Sequence, residues 1–184
     1  MPDRTFILGG QKSGKSRRAE LQAADWLARS AAHRAVLIAT AQPWDDEMRE
    51  RIARHRVDRA GRVPGLVTVE EPLALAETLA AHSVPDTLVL VDCLTLWLTN
   101  LLMPMKGAPA DAEAAGAALR DALRAARGPV VLVGNEIGLG VIPMGREVRA
   151  FVDALGRLNQ SVAAECDHVT LMAAGLPLTL KETR

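Results

Sequence analysis

Short runs rich in Val, Ile and Leu recur along the chain, and each run is followed by a longer segment with a polar pattern. Most runs are continuously apolar rather than alternating, as is typical of strands in a parallel sheet that is covered on both faces. The regular succession of such runs and longer segments predicts βα units. We therefore expect an α/β fold, a mostly parallel sheet with helices on both faces, formed as one domain over residues 1–184.

The same pattern predicts the position of each element. Six strands are expected, at Thr5–Leu8, Val36–Ala39, Leu66–Val69, Thr87–Asp92, Val130–Val133 and Val169–Met172. Six helices are expected, at Lys15–Ser30, Asp45–Ala60, Leu73–His82, Leu94–Leu102, Asp111–Arg127 and Arg146–Glu165. The closing segment Gly175–Lys181 is expected to add a last strand or hairpin.

Composition narrows the classes of partner. The chain carries 22 Lys and Arg against 22 Asp and Glu, so no global field attracts nucleic acid, and any anion site must be built locally. An aromatic content of 3% leaves few stacking platforms for single-stranded nucleic acid. The longest apolar run, Leu88–Leu102, is interrupted by polar residues, which argues against a membrane span. Cys93 and Cys166 are too few for a disulfide framework and lack CxxC spacing, which favours a reducing cytoplasm.

One segment fits a phosphate-binding pattern at every fixed position. It reads G-x-x-x-x-G-K-[ST] between a predicted strand and a predicted helix, the context that this pattern requires. Backbone N–H groups of such a loop and the helix N-terminus attract phosphate oxygens. Lys15 is expected to reach the β- and γ-phosphates, and Ser16 to ligate Mg²⁺. The loop comprises Gly9, Gly10, Gln11, Lys12, Ser13, Gly14, Lys15 and Ser16.

An acidic residue closes the predicted strand Thr87–Asp92. In phosphate-loop proteins an acid at such a strand end commonly holds Mg²⁺ or its waters, so Asp92 is a candidate for that role. The alternative is that Asp92 caps the helix that follows, because Asp is a favourable N-cap residue. Both roles remain open at the level of sequence.

A helical segment rich in arginine contains one notable histidine. The segment begins with acids at Asp45, Asp46 and Glu47 and ends with basic residues, which suits a helix dipole. Charge alone predicts a solvated helix with i,i+4 ion pairs. At helical spacing, however, Met48, Ile52, His55 and Arg59 share one stripe, so His55 lies where an apolar edge meets guanidinium groups. Taken alone, this spacing is compatible with a packed histidine as well as with a nucleophile.

A second glycine-containing loop follows the predicted strand Val130–Val133. Gly134, Gly138 and Gly140 lie around Asn135 and Glu136. Loops at the carboxyl ends of strands form the ligand sites of open α/β sheets, so we expect Asn135 and Glu136 near the phosphate loop. A simple strand-to-helix connection is the alternative.

These motifs together resemble one family, the bifunctional adenosylcobinamide kinase/adenosylcobinamide-phosphate guanylyltransferases of cobalamin biosynthesis. The resemblance runs in order along nearly the whole chain. It comprises the GGxxSGKS loop, Ala39-Thr40-Ala41, Asp45-Asp46-Glu47-Met48 with Arg51-Ile52 and His55-Arg56, Asp92-Cys93 with Thr95 and Thr99-Asn100-Leu101, Asn135-Glu136-Ile137-Gly138, Gly156-Arg157-x-Asn159-Gln160, and the final Gly175-x-Pro177-x-x-x-Lys181. Phosphate-loop proteins in general share only the first of these.

The resemblance implies two reactions with ATP or GTP and Mg²⁺, and adenosylcobinamide as the acceptor. A nucleoside triphosphate phosphorylates adenosylcobinamide, and GMP is then transferred from GTP through a histidine, which makes His55 the expected nucleophile and Lys15 a catalytic partner. It further implies a RecA-like fold and a homotrimer; metal binding by Ser16 and Asp92 is the expectation from the phosphate loop itself. Beyond the phosphate loop, the implied nucleotide contacts are Ala39, Thr40, Ala41, Arg56, Val57, Asp58, Arg59, Glu70 and Asp92.

Two positions differ from many members of that family. Arg54 stands where relatives carry the first histidine of a pair, so His55 is the candidate that remains. Asp92 replaces a frequent Glu, which shortens the acid by one methylene. Two other functions stay open beside the two-step enzyme, namely a phosphate-loop kinase with one activity and a RecA-like nucleotide-binding module that transfers no group.

Overall fold

A computed structural model describes residues 3–183. The strands are β1 (Arg4–Gly9), β2 (Arg34–Ala39), β3 (Leu66–Glu70), β4 (Thr87–Asp92), β5 (Val130–Asn135), β6 (His168–Ala173) and β7 (Leu176–Glu182). The helices are α1 (Lys15–Ala28), α2 (Asp46–Arg62), α3 (Leu75–His82), α4 (Leu94–Leu102), α5 (Ala112–Arg124) and α6 (Arg146–Glu165). No helix among the described residues is long and apolar enough to cross a membrane.

All strands belong to one sheet, with the order β3-β2-β4-β5-β1-β6-β7. The first six strands pair in parallel, and β7 pairs antiparallel with β6. The predicted α/β class with a mostly parallel sheet is therefore confirmed. The predicted final strand is also present, and it follows a two-residue turn in which Ala174 and Gly175 both have positive φ, the geometry that a tight hairpin favours.

Two cores explain why the strands are continuously apolar. Successive strand residues point to opposite faces, so Phe6 and Leu8 pack on one side of the sheet and Ile7 on the other. The larger core lies between the sheet and α3, α4, α5 and α6. The smaller core lies against α1 and Val63, the residue that follows α2. Helices thus cover both faces, as predicted.

Several predicted helix ends differ from the structure. The third helix begins at Leu75 rather than Leu73, because the Glu71 carboxylate accepts hydrogen bonds from the N–H groups of Leu73 and Ala74 and forms a turn before the helix. The second helix continues to Arg62, two residues beyond the predicted end. The first and fifth helices end earlier than predicted, at Ala28 and Arg124. At the start of the third helix the difference comes from a side-chain contact that periodicity alone does not report.

Candidate active site

The phosphate loop connects β1 to α1 with the conformation that its sequence predicts. Gly14 has a φ of 99° and Lys12 a φ of 54°, so the chain turns through the left-handed region twice before α1 begins at Lys15. Lys15 is 8% exposed, and its Nζ donates to the Gly10 carbonyl oxygen at 2.6 Å. The ammonium group therefore lies over the loop, where bound phosphates would need positive charge.

Two other segments hold the phosphate loop in place. The N–H of Gly175, in the turn between β6 and β7, donates to the Ser13 carbonyl at 3.1 Å. The N–H of Glu136, just after β5, donates to the Gly9 carbonyl at 3.2 Å. The predicted proximity of the second glycine-containing loop to the phosphate loop is therefore present. Beyond Glu136 this loop exposes Leu139, Val141 and Met144 on the same rim.

Asp92 lies at the carboxyl end of β4, separated from β1 by one strand. It is not the cap of α4, because Cys93 occupies the N-cap position and no side chain caps that end. The carboxylate instead faces α2, where Arg59 Nη1 lies 3.6 Å from Asp92 Oδ2. The Arg59 side chain is almost completely buried, so this pair joins α2 to the sheet in a largely desolvated setting.

Thr40, just after β2, joins the carboxyl ends of β2 and β4 by hydrogen bonds. Thr40 is completely buried. Its hydroxyl accepts a hydrogen bond from the Cys93 N–H at 2.9 Å and donates one to the Cys93 carbonyl oxygen at 2.8 Å. The Thr40 N–H donates to the Asp92 carbonyl, and the Thr40 carbonyl accepts from Asn100. The polar groups of Thr40 are thus all hydrogen-bonded within the protein. Its neighbours Ala39 and Ala41 are half-buried, so they are the members of this segment that a ligand could contact.

The histidine-bearing helix has the stripe that its sequence predicts. Asp45 caps α2 by accepting from the Met48 N–H at 2.7 Å. Met48, Ile52 and His55 are half-buried and Arg59 is buried, whereas Val57 and Asp58 are exposed. His55 therefore lies on the inner side of α2, one turn before the arginine that pairs with Asp92.

Ion pairs bring further predicted site residues together. Arg56 pairs with Glu70 at the end of β3, so these two lie at one place although 14 positions separate them. Arg62 pairs both with Asp58, one turn earlier on α2, and with Glu20 of α1. The i,i+4 pair of Asp58 and Arg62 agrees with the solvated-helix interpretation, but the buried Arg59 does not.

Glu20 is the functional candidate that sequence reasoning missed. It lies on α1 beside the small residues Ala19 and Ala23 and is 2% exposed. Burial raises the pKa of the Glu20 carboxyl, while the Arg62 guanidinium acts in the opposite direction and favours the charged form. A charged acid that is buried among small apolar residues requires a counter-ion. The position of Glu20 beside Ala19 in the sequence is therefore the signal that could have indicated a buried ion pair.

A second buried group in this region is a thiol. Burial is the main cause that raises the pKa of the Cys93 thiol, and the negative charge of Asp92 raises it further. The thiol therefore stays protonated, which argues against a nucleophilic role for it.

The oxygen donors at this rim fit Mg²⁺ carried by a nucleotide. Ser16 supplies a half-buried hydroxyl in the first turn of α1, and Asp92 supplies a carboxylate at the neighbouring strand ends. Mg²⁺ usually takes one or two protein oxygens and completes its shell with phosphates and waters. Such a site needs no cluster of three His, Cys, Asp or Glu side chains, and residues 3–183 contain none.

The family model for cobinamide kinase / cobinamide phosphate guanyltransferase matches residues 5–180. The chain belongs to this family. Among its relatives, the bifunctional adenosylcobalamin biosynthesis protein CobP of Pseudomonas aeruginosa is 48% identical over 179 residues, which cover 97% of each chain. The bifunctional adenosylcobalamin biosynthesis protein CobU of Escherichia coli is 37% identical over 187 residues, which cover 96% of this chain and 98% of the relative.

A solved structure confirms the fold of this member of the cobinamide kinase / cobinamide phosphate guanyltransferase family. The flagellar accessory protein FlaH from Methanocaldococcus jannaschii superposes with a TM-score of 0.56 at 10% identity, covering 98% of this chain and 79% of that chain. At this identity the likeness concerns the fold alone. The expected α/β fold, with a mostly parallel sheet, is thus confirmed, and the RecA-like assignment stays a prediction.

The close approach of β6 to the phosphate loop yields a testable prediction. A Cβ built on Gly9 would lie 2.5 Å from the Met172 carbonyl oxygen, which is backbone and cannot swing away. We expect Gly9→Ala to lower the free energy of unfolding by about 1–3 kcal/mol and to weaken nucleotide binding. Urea denaturation and calorimetric titration with GTP measure the two effects.

Gly10→Ala is the matched control for folding, because its Cβ would meet nothing within 4 Å. Its unfolding free energy should stay within about 0.5 kcal/mol of the parent. Equal stability of the Gly9→Ala variant and the parent would contradict the packing that we describe for the loop.

Proposed function

We propose that the protein phosphorylates adenosylcobinamide with a nucleoside triphosphate and then transfers GMP from GTP to the product, giving adenosylcobinamide-GDP. The observation that carries this proposal is the pairing of Arg59 with Asp92 at the rim of the phosphate loop. It anchors the helix that bears His55 to the same strand ends that receive the nucleotide. Membership of the family over residues 5–180 supplies the substrate class.

In the kinase reaction the acceptor hydroxyl attacks the γ-phosphorus. A new bond forms from the hydroxyl oxygen to that phosphorus, the bond to the β,γ-bridging oxygen breaks, and the hydroxyl proton leaves to solvent. Backbone N–H groups of the phosphate loop and the Lys15 ammonium stabilise the negative charge that develops on the bridging and terminal oxygens. Bound at Ser16 and Asp92, Mg²⁺ would supply further neutralisation of the phosphate oxygens.

In the guanylyl reaction an imidazole nitrogen of His55 attacks the α-phosphorus of GTP. A phosphorus–nitrogen bond forms, the bond to pyrophosphate breaks, and the proton on the imidazole passes to solvent. A phosphate oxygen of adenosylcobinamide phosphate then attacks the same phosphorus, and the bond to His55 breaks to return the free imidazole. In this proposal Lys15 and the loop amides stabilise the departing pyrophosphate.

The remaining predicted contacts fit around the same nucleotide. Arg56 and Glu70, which are paired with each other, are proposed to contact GTP together with Asp58 and Arg59 of α2. Ala39 and Ala41 lie at the carboxyl end of β2 and offer backbone groups, while Thr40 holds that strand end by its internal bonds. Val57 is exposed on α2, so a contact from it requires the nucleotide or another subunit to reach the outer side of that helix.

A labelling experiment tests the histidine step. We expect the protein incubated with GTP labelled at the α-phosphate and Mg²⁺ to form an adduct that is labile to acid and stable to base, as a phosphoramidate should be. The His55→Ala variant should form none. His33→Ala is the control, because His33 stacks on Trp26 and directly precedes β2, at the opposite end of that strand from Ala39. An undiminished adduct in His55→Ala would contradict the assignment, and kinase activity without any adduct would favour a kinase with one activity.

Replacement of the phosphate-loop lysine tests the shared site. Lys15→Ala removes a charge that both reactions use, so we expect both rates to fall roughly 100- to 1000-fold. Initial rates of adenosylcobinamide phosphorylation and of His55 labelling measure the two effects. Arg17→Ala is the control for loss of charge alone, because Arg17 is exposed two residues later, in the first turn of α1. Near-normal kinase turnover in Lys15→Ala would contradict the proposed role of the loop.

We further propose that the protein acts as a homotrimer in the cytoplasm. Exposed leucines on the edge strand β7, at Leu176, Leu178 and Leu180, support burial against another subunit. The buried free thiols Cys93 and Cys166 suit a reducing compartment. Light scattering should give three times the chain mass of 19.7 kDa, and Leu178→Lys should lower that mass. A parent protein with the mass of one chain would exclude the trimer.

A further inference from the structure

Helix α2 is attached to the rest of the molecule mainly by charge. Of its described side chains only that of Arg59 is buried, and Val63, which follows the helix, packs into the smaller core. Most of the remaining described side chains are exposed. A helix with so little apolar contact owes its position to the polar contacts of its last turns.

Two ion pairs on those turns reach different parts of the core. Arg59 Nη1 lies 3.6 Å from Asp92 Oδ2, and Arg62 Nη1 lies 2.5 Å from Glu20 Oε2, within hydrogen-bond distance. The Glu20 side chain is 3% exposed, whereas Asp58, the other partner of Arg62, is 57% exposed. Because water screens the exposed pair, Glu20 is the partner that defines where Arg62 lies.

The two anchors differ once a nucleotide is bound. Asp92 is a proposed Mg²⁺ ligand, so Arg59 then shares this carboxylate with a second positive charge. Glu20 has no such role, and it lies on α1 five residues after Lys15, in the rigid helix that begins at the phosphate loop. The contact of Glu20 with Arg62 therefore relates α2 directly to the element that positions the triphosphate.

We propose that Glu20 is a positioning residue for the guanylyl step, and that it holds α2 through Arg62 so that His55 faces the α-phosphate. This inference rests on the proposed function, because it requires His55 to be the nucleophile. The kinase step uses the γ-phosphate and an acceptor hydroxyl, so it does not depend on the orientation of α2 in the same way. Loss of Glu20 should separate the two reactions.

The test is Glu20→Gln, which keeps the shape of the side chain and removes its charge. We expect the single-turnover rate of His55 labelling by GTP to fall about 10- to 100-fold, as misplacement of a reacting group by roughly 1 Å does. With GTP at saturating concentration, kinase turnover should stay within about twofold, and backbone hydrogen exchange in α2 should accelerate. Arg62→Gln should reproduce this pattern. Because the Arg62 side chain is 43% exposed, this variant disturbs the core less and replaces Glu20→Gln as the test if Glu20→Gln does not fold.

Glu165→Gln is the matched control. Glu165 pairs with Arg124 at 2.5 Å, the distance of the Glu20 pair, but joins α5 to α6 on the opposite face of the sheet. It should leave His55 labelling unchanged. Arg62→Lys, which keeps the charge, should recover part of the rate that Arg62→Gln loses.

The outcomes separate this inference from the proposed function. Absence of an adduct in the parent protein would overturn both. An adduct in the parent that forms at the same rate in Glu20→Gln, or a fall of equal size in labelling and kinase turnover, would overturn the positioning role alone. Selective loss of labelling with faster exchange in α2 would support it.

Discussion

The register of the parallel sheet determines which side chains can meet. Gly9 lies opposite Asn135, and Ala39 lies opposite both Asp92 and Glu70. The ends of five strands thereby lie along one edge of the sheet, with Asp92 opposite Val133, two residues before Asn135, although the residues come from segments spread over more than 120 positions. A shift by one residue would turn each side chain to the other face and bury the wrong set. The site thus depends on the continuously apolar strands that hold this alignment, and the loops add function to an edge that already exists.

Within this frame, a chain with no net charge builds a site for a highly charged ligand. Its 22 basic and 22 acidic residues cancel over the whole molecule, but their placement does not. Lys15 and Arg59 are buried at the rim, and the acids that balance the cations of α2 are bound to them individually, Asp92 to Arg59 and Glu20 to Arg62. Desolvated charges act strongly on a ligand at short range and weakly at a distance. This placement suits a compact anion at the rim better than a long polyanion.

Sequence reasoning recovered the parts that depend on local physics. The phosphate loop, the six parallel strands and the stripe of α2 follow from glycine conformation, apolar runs and helical spacing. The role of Asp92 could not be decided in this way, since its partner Arg59 is 33 positions earlier and the cap of α4 is Cys93. Glu20 escaped notice for the same reason, because Arg62 lies 42 positions away. The start of α3 differs from the predicted Leu73 because the Glu71 side chain forms the turn before the helix. Contacts distant in sequence are the part that periodicity cannot supply.

In the two proposed reactions the nucleophiles attack different phosphorus atoms of a nucleotide that one loop binds. The loop cannot choose between them, because its amides and Lys15 stabilise the phosphates in both cases. In the proposed mechanism the choice comes from the nucleophile that is presented, which is either the acceptor hydroxyl or the imidazole of His55. A helix anchored by two ion pairs rather than by a hydrophobic face is suited to this task, because elements with few buried apolar contacts reorient at low cost in free energy. Under this proposal the weak apolar attachment of α2 serves two chemistries at one site, and the pair of Glu20 with Arg62 limits the movement of the helix.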